Sequence, residues 1–473
     1  MAMPAATSFV IDTELSPAYY DEPLKFIHHN YLLSKPEAFG SIRRKRSGGV
    51  LVLSFVAFDP NRTWQIEARM TAGKPIHVEM TPKGPVPEGA LDGLREHLMI
   101  SVQSFEESIR KSTLYFAWIQ GERIVPEEPP SAKRRASDRL FSSNMLMLYV
   151  LLLAVNIVLF IFLGIYGVLA TLAIQFGFVL FADKVYARMG NLKITEKNQT
   201  AHILQYQLPA KEYEEFRRKF GKDAIKQMKT EIYDRTLALG MEPTCELGED
   251  VFEKYGMKCK PERRSAKAVN VYRIVKTAAG RYDMPMPKIV ISNSMMPNAA
   301  ATGPSPGRGV ILITTGLLVE LEDDEILSVV GHELGHLQGR DPLILFGLTS
   351  AEFVLRVFVF LPFFLYSPFL YLVFAMGIVY FIAKFFEARA DLQSALKIGQ
   401  PKALAEALEK IGFQKLQYER IPTFKIQSWL RWDPHPPTYF RVDRLQKMSV
   451  PTKTSHPLLQ SAKDVFNGFR SAI

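Results

Sequence analysis

Two histidines four residues apart, with a glutamate after the first, can build a hydrolytic metal centre. His332-Glu333-Leu334-Gly335-His336 has that spacing. On a helix, residues i and i+4 share a face, so both imidazoles can reach one tetrahedral zinc. Glu333 stands one residue further round. It cannot readily bind the same ion, but it can act as general base on water that the ion has acidified. Such a string arises by accident in roughly one chain of this composition in a hundred, so its surroundings matter. A catalytic zinc needs a third protein ligand and an open position. The run Phe385-Phe386-Glu387-Ala388-Arg389-Ala390-Asp391 offers Glu387 as that ligand. Asp391, one turn on, can hold a ligand histidine in the correct tautomer.

These residues need elements that bring them together. After Glu322-Asp323-Asp324, apolar residues Ile326, Leu327, Val329, Val330, Leu334 and Leu337 fall at helical spacing. Acids suit a helix N-terminus, and Gly339 suits its end. Asp341-Pro342 then reads as cap and first turn of a new helix. It opens an apolar block at 343–386 with a turn at Ser367-Pro368. If this block is a hairpin, its ends lie side by side and Glu387 meets the two histidines. Glu352 and Arg356 lie inside it at i,i+4 and can pair on one face. Charges in a span face protein or water, so the pair is structural or the segment is only partly immersed. An earlier block, Met145 to Ala182, carries no charge and has room for two spans around Gly164-Ile165-Tyr166-Gly167. Lys133, Arg134, Arg135 and Arg139 precede it, and Lys184, Arg188 and Lys193 follow. Positive flanks on both sides put both ends in the cytoplasm.

The net charge of +10 could suggest nucleic acid, but the basic residues cluster beside the apolar blocks, so no nucleic-acid partner is expected. Cys245 and Cys259 form no CxxC pair and read as reduced thiols. Met1 to Asp12 lacks the pattern of a secretory signal. Residues 1–142 read as a separate region. Gly49 to Phe58, Thr63 to Ala72 and Pro75 to Met80 suggest a small antiparallel sheet, and Gly89 to Trp118 a helix. His28 and His29 point in different directions and read as ordinary polar residues. Arg43-Arg44-Lys45-Arg46 reads as a solvated loop or as an anionic-lipid or nucleic-acid contact. Glu196 to Gly280 suggests surface helices; Lys288 to Ser292 and Gly309 to Thr314 suggest strands around a loop.

HELGH followed by EARAD resembles the gluzincin-type integral membrane endopeptidases, which include the HtpX proteases and the CAAX prenyl proteases. Met296-Pro297-Asn298-Ala299-Ala300-Ala301-Thr302-Gly303 with Val310 to Leu318 resembles that family's substrate-edge region. Gly339-Arg340-Asp341 and His435-Pro436-Pro437-Thr438 with Arg441 resemble further family elements. The resemblance spans roughly 145–445 and leaves 1–142 aside. It implies that His332, His336 and Glu387 hold one zinc ion and that Glu333 is the base. It implies that His435 stabilises the tetrahedral intermediate and that Arg441 supports an acidic neighbour. Asn298, Ala299, Ala300, Val310 and Ile311 would bind an extended substrate by strand addition. The family often has a bulky residue where this chain has Ala300, so its substrate pocket would differ in shape.

The resulting expectation is an α+β membrane protein with a mostly helical zincin-type domain, a small β-sheet and two transmembrane hairpins. Its parts would be an N-terminal α+β domain (1–125), a basic linker (126–142), a hairpin (143–183), a protease domain (184–450) interrupted by the hairpin 343–386, and a tail (451–473). The function implied is a zinc endopeptidase of the prokaryotic cytoplasmic membrane, its catalytic domain facing the cytoplasm and cutting membrane proteins in quality control. The alternatives are a prenyl-protein protease and a membrane scaffold with a vestigial zinc site.

Overall fold

The computed structural model describes residues 6–119, 145–189, 192–221, 223–449 and 456–473. The linker expected at 126–142, with its basic residues, lies outside them. Five antiparallel strands come first: β1 (Thr7–Ile11), β2 (Phe39–Ser47), β3 (Val50–Phe58), β4 (Gln65–Thr71) and β5 (Ile76–Lys83), ordered β1-β5-β4-β3-β2. Strict alternation along β5 buries Ile76, Val78 and Met80. Gly48 and Gly49 join β2 to β3 with φ of 58° and 83°. A two-residue turn with both φ positive matches the strand twist, and glycine adopts it without strain. Arg43 to Arg46 therefore lie on an edge strand, not in a loop. Charge along an edge discourages pairing with other chains. Leu94, Leu98 and Val102 of helix Glu88–Arg110 close the inner face.

That helix stops eight residues earlier than its periodicity suggested, because Thr113–Ile119 forms strand β6. β6 pairs with β8 (Thr200–Gln207), beyond the first apolar block, and β8 pairs with β9 (Arg264–Asn270). The N-terminal region thus shares a sheet with β8 and β9. β8 and β9 also interrupt the stretch read as surface helices. Between them the helix Cys245–Lys254 folds back so that Cys245 and Cys259 form a disulfide, with Cα atoms 5.5 Å apart. This overturns the expectation of two free thiols. The approach depends on the packing of this helical segment, which residue spacing does not reveal.

A third sheet carries the site. β7 (Leu192–Ile194), β10 (Lys288–Ser292), β11 (Ala299–Thr302) and β12 (Val310–Thr314) are ordered β11-β12-β10-β7, with β10 and β12 parallel. β11 falls within the segment expected to be a loop.

The first apolar block forms helices Met145–Leu163 and Tyr166–Leu180, which break at Gly164. The second forms Asp341–Phe358, Leu361–Tyr366 and Pro368–Ile398. Among the described residues, Pro368–Ile398 is the one unbroken helix long and apolar enough to cross a membrane. Tyr166–Leu180 with Ala182–Arg188, bent by 54°, makes a second if taken as one span. The two blocks pack together, with Phe176 and Phe346 ring centroids 5.5 Å apart. Phe162, Leu169, Tyr366 and Phe369 point outward and are exposed. The expected Glu352–Arg356 pair is present at 3.3 Å, and Tyr371 donates to Glu352.

Candidate metal centre

The motif helix runs Asp323–Gly339. Glu322 and Glu325 cap its start reciprocally, satisfying N–H groups that have no partner within the helix. Its end is set by Arg340, which takes the left-handed conformation at φ 55°. Gly339 is needed for another reason. A Cβ there would sit 1.9 Å from the Arg389 guanidinium. Gly331 and Gly335 share its face, and their Cβ positions fall 2.4 Å from Ile398 and 3.2 Å from Ala390. This glycine stripe lets helix Pro368–Ile398 approach closely and delivers Glu387 to the histidines.

His332 Nε2 and His336 Nε2 lie 3.1 Å apart, and each lies 3.5 Å from a Glu387 oxygen. Ligands about 2.1 Å from a tetrahedral centre stand about 3.4 Å from one another, so the triangle fits a single zinc-sized ion. His332, His336 and Glu387 are the one such group among the described residues. Each far ring nitrogen faces a carboxylate. Asp391 Oδ1 lies 2.9 Å from His332 Nδ1, and Asp341 Oδ2 lies 2.7 Å from His336 Nδ1. With Nδ1 protonated and facing a carboxylate, both Nε2 lone pairs point at each other. That arrangement is unfavourable unless a cation lies between them. Burial alone would lower the His332 pKa, but Asp391 and Glu387 outweigh it and raise it to about 10. The pocket is built to hold positive charge.

Arg441 forks onto Asp391 with bonds of 2.8 and 2.7 Å. Asp341 is also held by Arg389. Neither Asp341 nor Arg389 was read from the sequence as a site residue, although each lies within a few residues of His336 or Glu387. Asp341 read as a helix cap; its carboxylate instead serves His336 from the first turn of the next helix.

His435 closes the group from a proline-rich loop. Its Nε2 lies 3.5 Å from Glu387 Oε2, and Asp433 Oδ1 takes its Nδ1 at 2.8 Å and its backbone N–H at 3.0 Å. Burial would raise the Asp433 pKa, but His435 and Lys415 hold it well below the usual carboxylate range. Glu333 accepts from the backbone N–H of Ala301 at 2.8 Å. A cleft of about 1300 Å³ opens here, lined by His332, Glu333, Asn298, Ala299, Tyr380 and His435.

The edge strand differs from expectation. Val310 and Ile311 lie on interior strand β12, fully buried and paired on both sides, so they cannot accept another strand. The free edge is β11. Asn298 spends its backbone on Thr314. Alternation then turns the backbone of Ala300 towards β12 and that of Ala299 and Ala301 outward.

The family model for peptidase family M48 matches residues 265–449. A protease HtpX homolog of Thermodesulfovibrio yellowstonii is 45% identical over 94 residues, 20% of this chain and 32% of that protein. One of Moorella thermoacetica is 33% identical over 186 residues, 34% of this chain and 60% of that protein. One of Acaryochloris marina is 30% identical over 220 residues, 39% of this chain and 74% of that protein. The matched region thus spans less than two thirds of the first two relatives and about three quarters of the third. The two-histidine motif, its returning glutamate and these matches agree, and the chain belongs to peptidase family M48, among its HtpX-like members.

Proposed function

We propose that the protein is a membrane-bound zinc endopeptidase that takes extended polypeptide into the cleft beside β11. The observation that carries this reading is the donor triangle of His332, His336 and Glu387, with Glu333 beside it at the free edge of β11. Zinc bound there supplies Lewis acidity, which makes water a nucleophile near neutral pH and polarises a carbonyl. The outward backbone groups of Ala299 and Ala301 pair with the substrate chain. Glu333 leaves Ala301, takes a proton from the attacking water and passes it to the leaving amine. In its imidazolium form His435 donates from Nε2 to the oxygen that gains charge and from Nδ1 to Asp433. Asp391, Asp341 and Arg441 keep the ligand imidazoles oriented.

The outward apolar side chains of the two helical blocks suit immersion in a bilayer. Membrane proteins presented beside the cleft are then the natural substrates, in a quality-control role at a prokaryotic cytoplasmic membrane. Two features bear on orientation. Basic flanks favour a cytoplasmic catalytic domain, whereas the Cys245–Cys259 disulfide suits an oxidising compartment. We take the flanks as decisive, because hairpin insertion responds to them directly. Alkylation showing both cysteines bonded in intact cells would reverse the orientation. The complete donor set speaks against a vestigial site.

Glu333→Gln tests the mechanism. It should keep one zinc per chain, measured by elemental analysis, while peptide cleavage falls by at least about 10². Cleavage at the wild-type rate would sink Glu333 as the base.

A further inference from the structure

We propose that Lys384 is a positioning residue for His435, an inference that rests on the protease reading above. Lys384 lies on helix Pro368–Ile398, three residues before Glu387, and is only 1% exposed. Its ammonium donates to two backbone carbonyls of the loop that carries His435: Arg431 at 3.3 Å and Asp433 at 2.5 Å. That loop, Arg431-Trp432-Asp433-Pro434-His435-Pro436-Pro437, has three prolines and so lacks three backbone donors. It belongs to no regular element. Its geometry must come from outside it, and a buried ammonium with three donors can supply it.

Asp433 is the joint. Its carbonyl is held by Lys384, and its carboxylate holds His435 at the ring and at the backbone N–H. Lys415 takes the other carboxylate oxygen at 3.0 Å. Lys384 and Glu387 are one helical turn apart, so the metal ligand and the loop anchor move as one body. The distance from His435 to the metal group is thereby set by a single helix. A displacement of about 1 Å at such a site costs about 10² in rate.

The test uses the full-length protein in nanodiscs, with Lys384→Met as the main variant. It removes the donors while nearly keeping the volume. Zinc content should stay at wild type, and amide exchange in 431–435 should rise about tenfold. The kcat should fall by about 10² with KM little changed. In a His435→Ala background, Lys384→Met should change kcat by less than about twofold, because its effect passes through His435. Lys384→Arg, which keeps the charge and the donors, should restore loop protection and most of the rate. Should Lys384→Met fail to fold, Lys384→Gln carries the same measurements. Loss of zinc, unchanged exchange, or an equal loss of rate with and without His435 would each overturn the proposal. If wild type cleaves no peptide, the protease reading fails by itself, and the exchange measurement still decides whether Lys384 holds the loop.

Discussion

Each motif histidine has its own carboxylate, and the two carboxylates have different anchors. Asp391 sits under His332 and is gripped by Arg441; Asp341 sits under His336 and is gripped by Arg389. The function of such a partner is to keep Nδ1 protonated and the ring aimed, which raises the basicity of Nε2. Asp341→Asn should therefore leave the fold intact and weaken zinc binding by about 10–100-fold. Competition against a chromophoric chelator measures this, and unchanged affinity would remove Asp341 from the centre. The substitution also bears on Arg389, whose guanidinium lies against Gly339 and over the Phe386 ring.

At the scale of elements, one helix pair makes the site. Gly331, Gly335 and Gly339 recur every fourth residue, so they form one face of the motif helix against Ile398, Ser394, Ala390 and Arg389. A side chain at Gly335 would meet the Ala390 backbone, which cannot rotate away. Gly335→Val should cost about 1–3 kcal/mol of stability by overpacking. It should also strip zinc, because Glu387 leaves with its helix. Gly280→Ala, where a Cβ meets open space, is the control and should be near neutral in both thermal stability and zinc content. A Gly335→Val protein with full zinc would show that the close approach is not required.

At the scale of the molecule, the N-terminal region is bound to the catalytic half by a buried acid cluster as well as by β6. Arg110 pairs with Glu14 at 2.5 Å and with Glu320 at 3.1 Å, and Glu106 accepts from the Glu14 backbone. One guanidinium faces three carboxylates, all buried. Burial, with Arg110 opposing it and Glu14 adding to it, pushes Glu320 up to about 7. Burial and Glu14 raise Glu106 in the same direction. For a raised carboxylate the stabilising contribution is complete below the ordinary carboxylate range and is lost as pH rises through the folded-state value. Stability should thus decline from pH 6 to pH 8. A loss of about 1 kcal/mol lowers Tm by roughly 1 °C in a chain of this size. Glu106→Gln with Glu320→Gln should flatten that slope in calorimetry; a slope unchanged by the pair would assign the pH dependence elsewhere.

What the sequence determined by itself is what short-range geometry controls. The motif histidines share a face because i and i+4 always do on a helix, and the acids at 322–325 had to start that helix. Uncharged runs had to become apolar helices, and alternation had to make strands of 50–58 and 76–83. Glu387 and Asp391 were legible once a returning apolar block was assumed. The tertiary structure decided which groups meet across long separations. It assigned Asp341 to His336, paired Thr113–Ile119 with a strand beyond the first apolar block, joined Cys245 to Cys259, and put Val310 and Ile311 inside the sheet, leaving the free edge to β11. The physical reason is one of range. Backbone periodicity repeats every two to four residues, whereas these contacts depend on how closely helices and strands pack. Here that closeness is set by glycines at 331, 335 and 339, whose role appears only against the helix they admit.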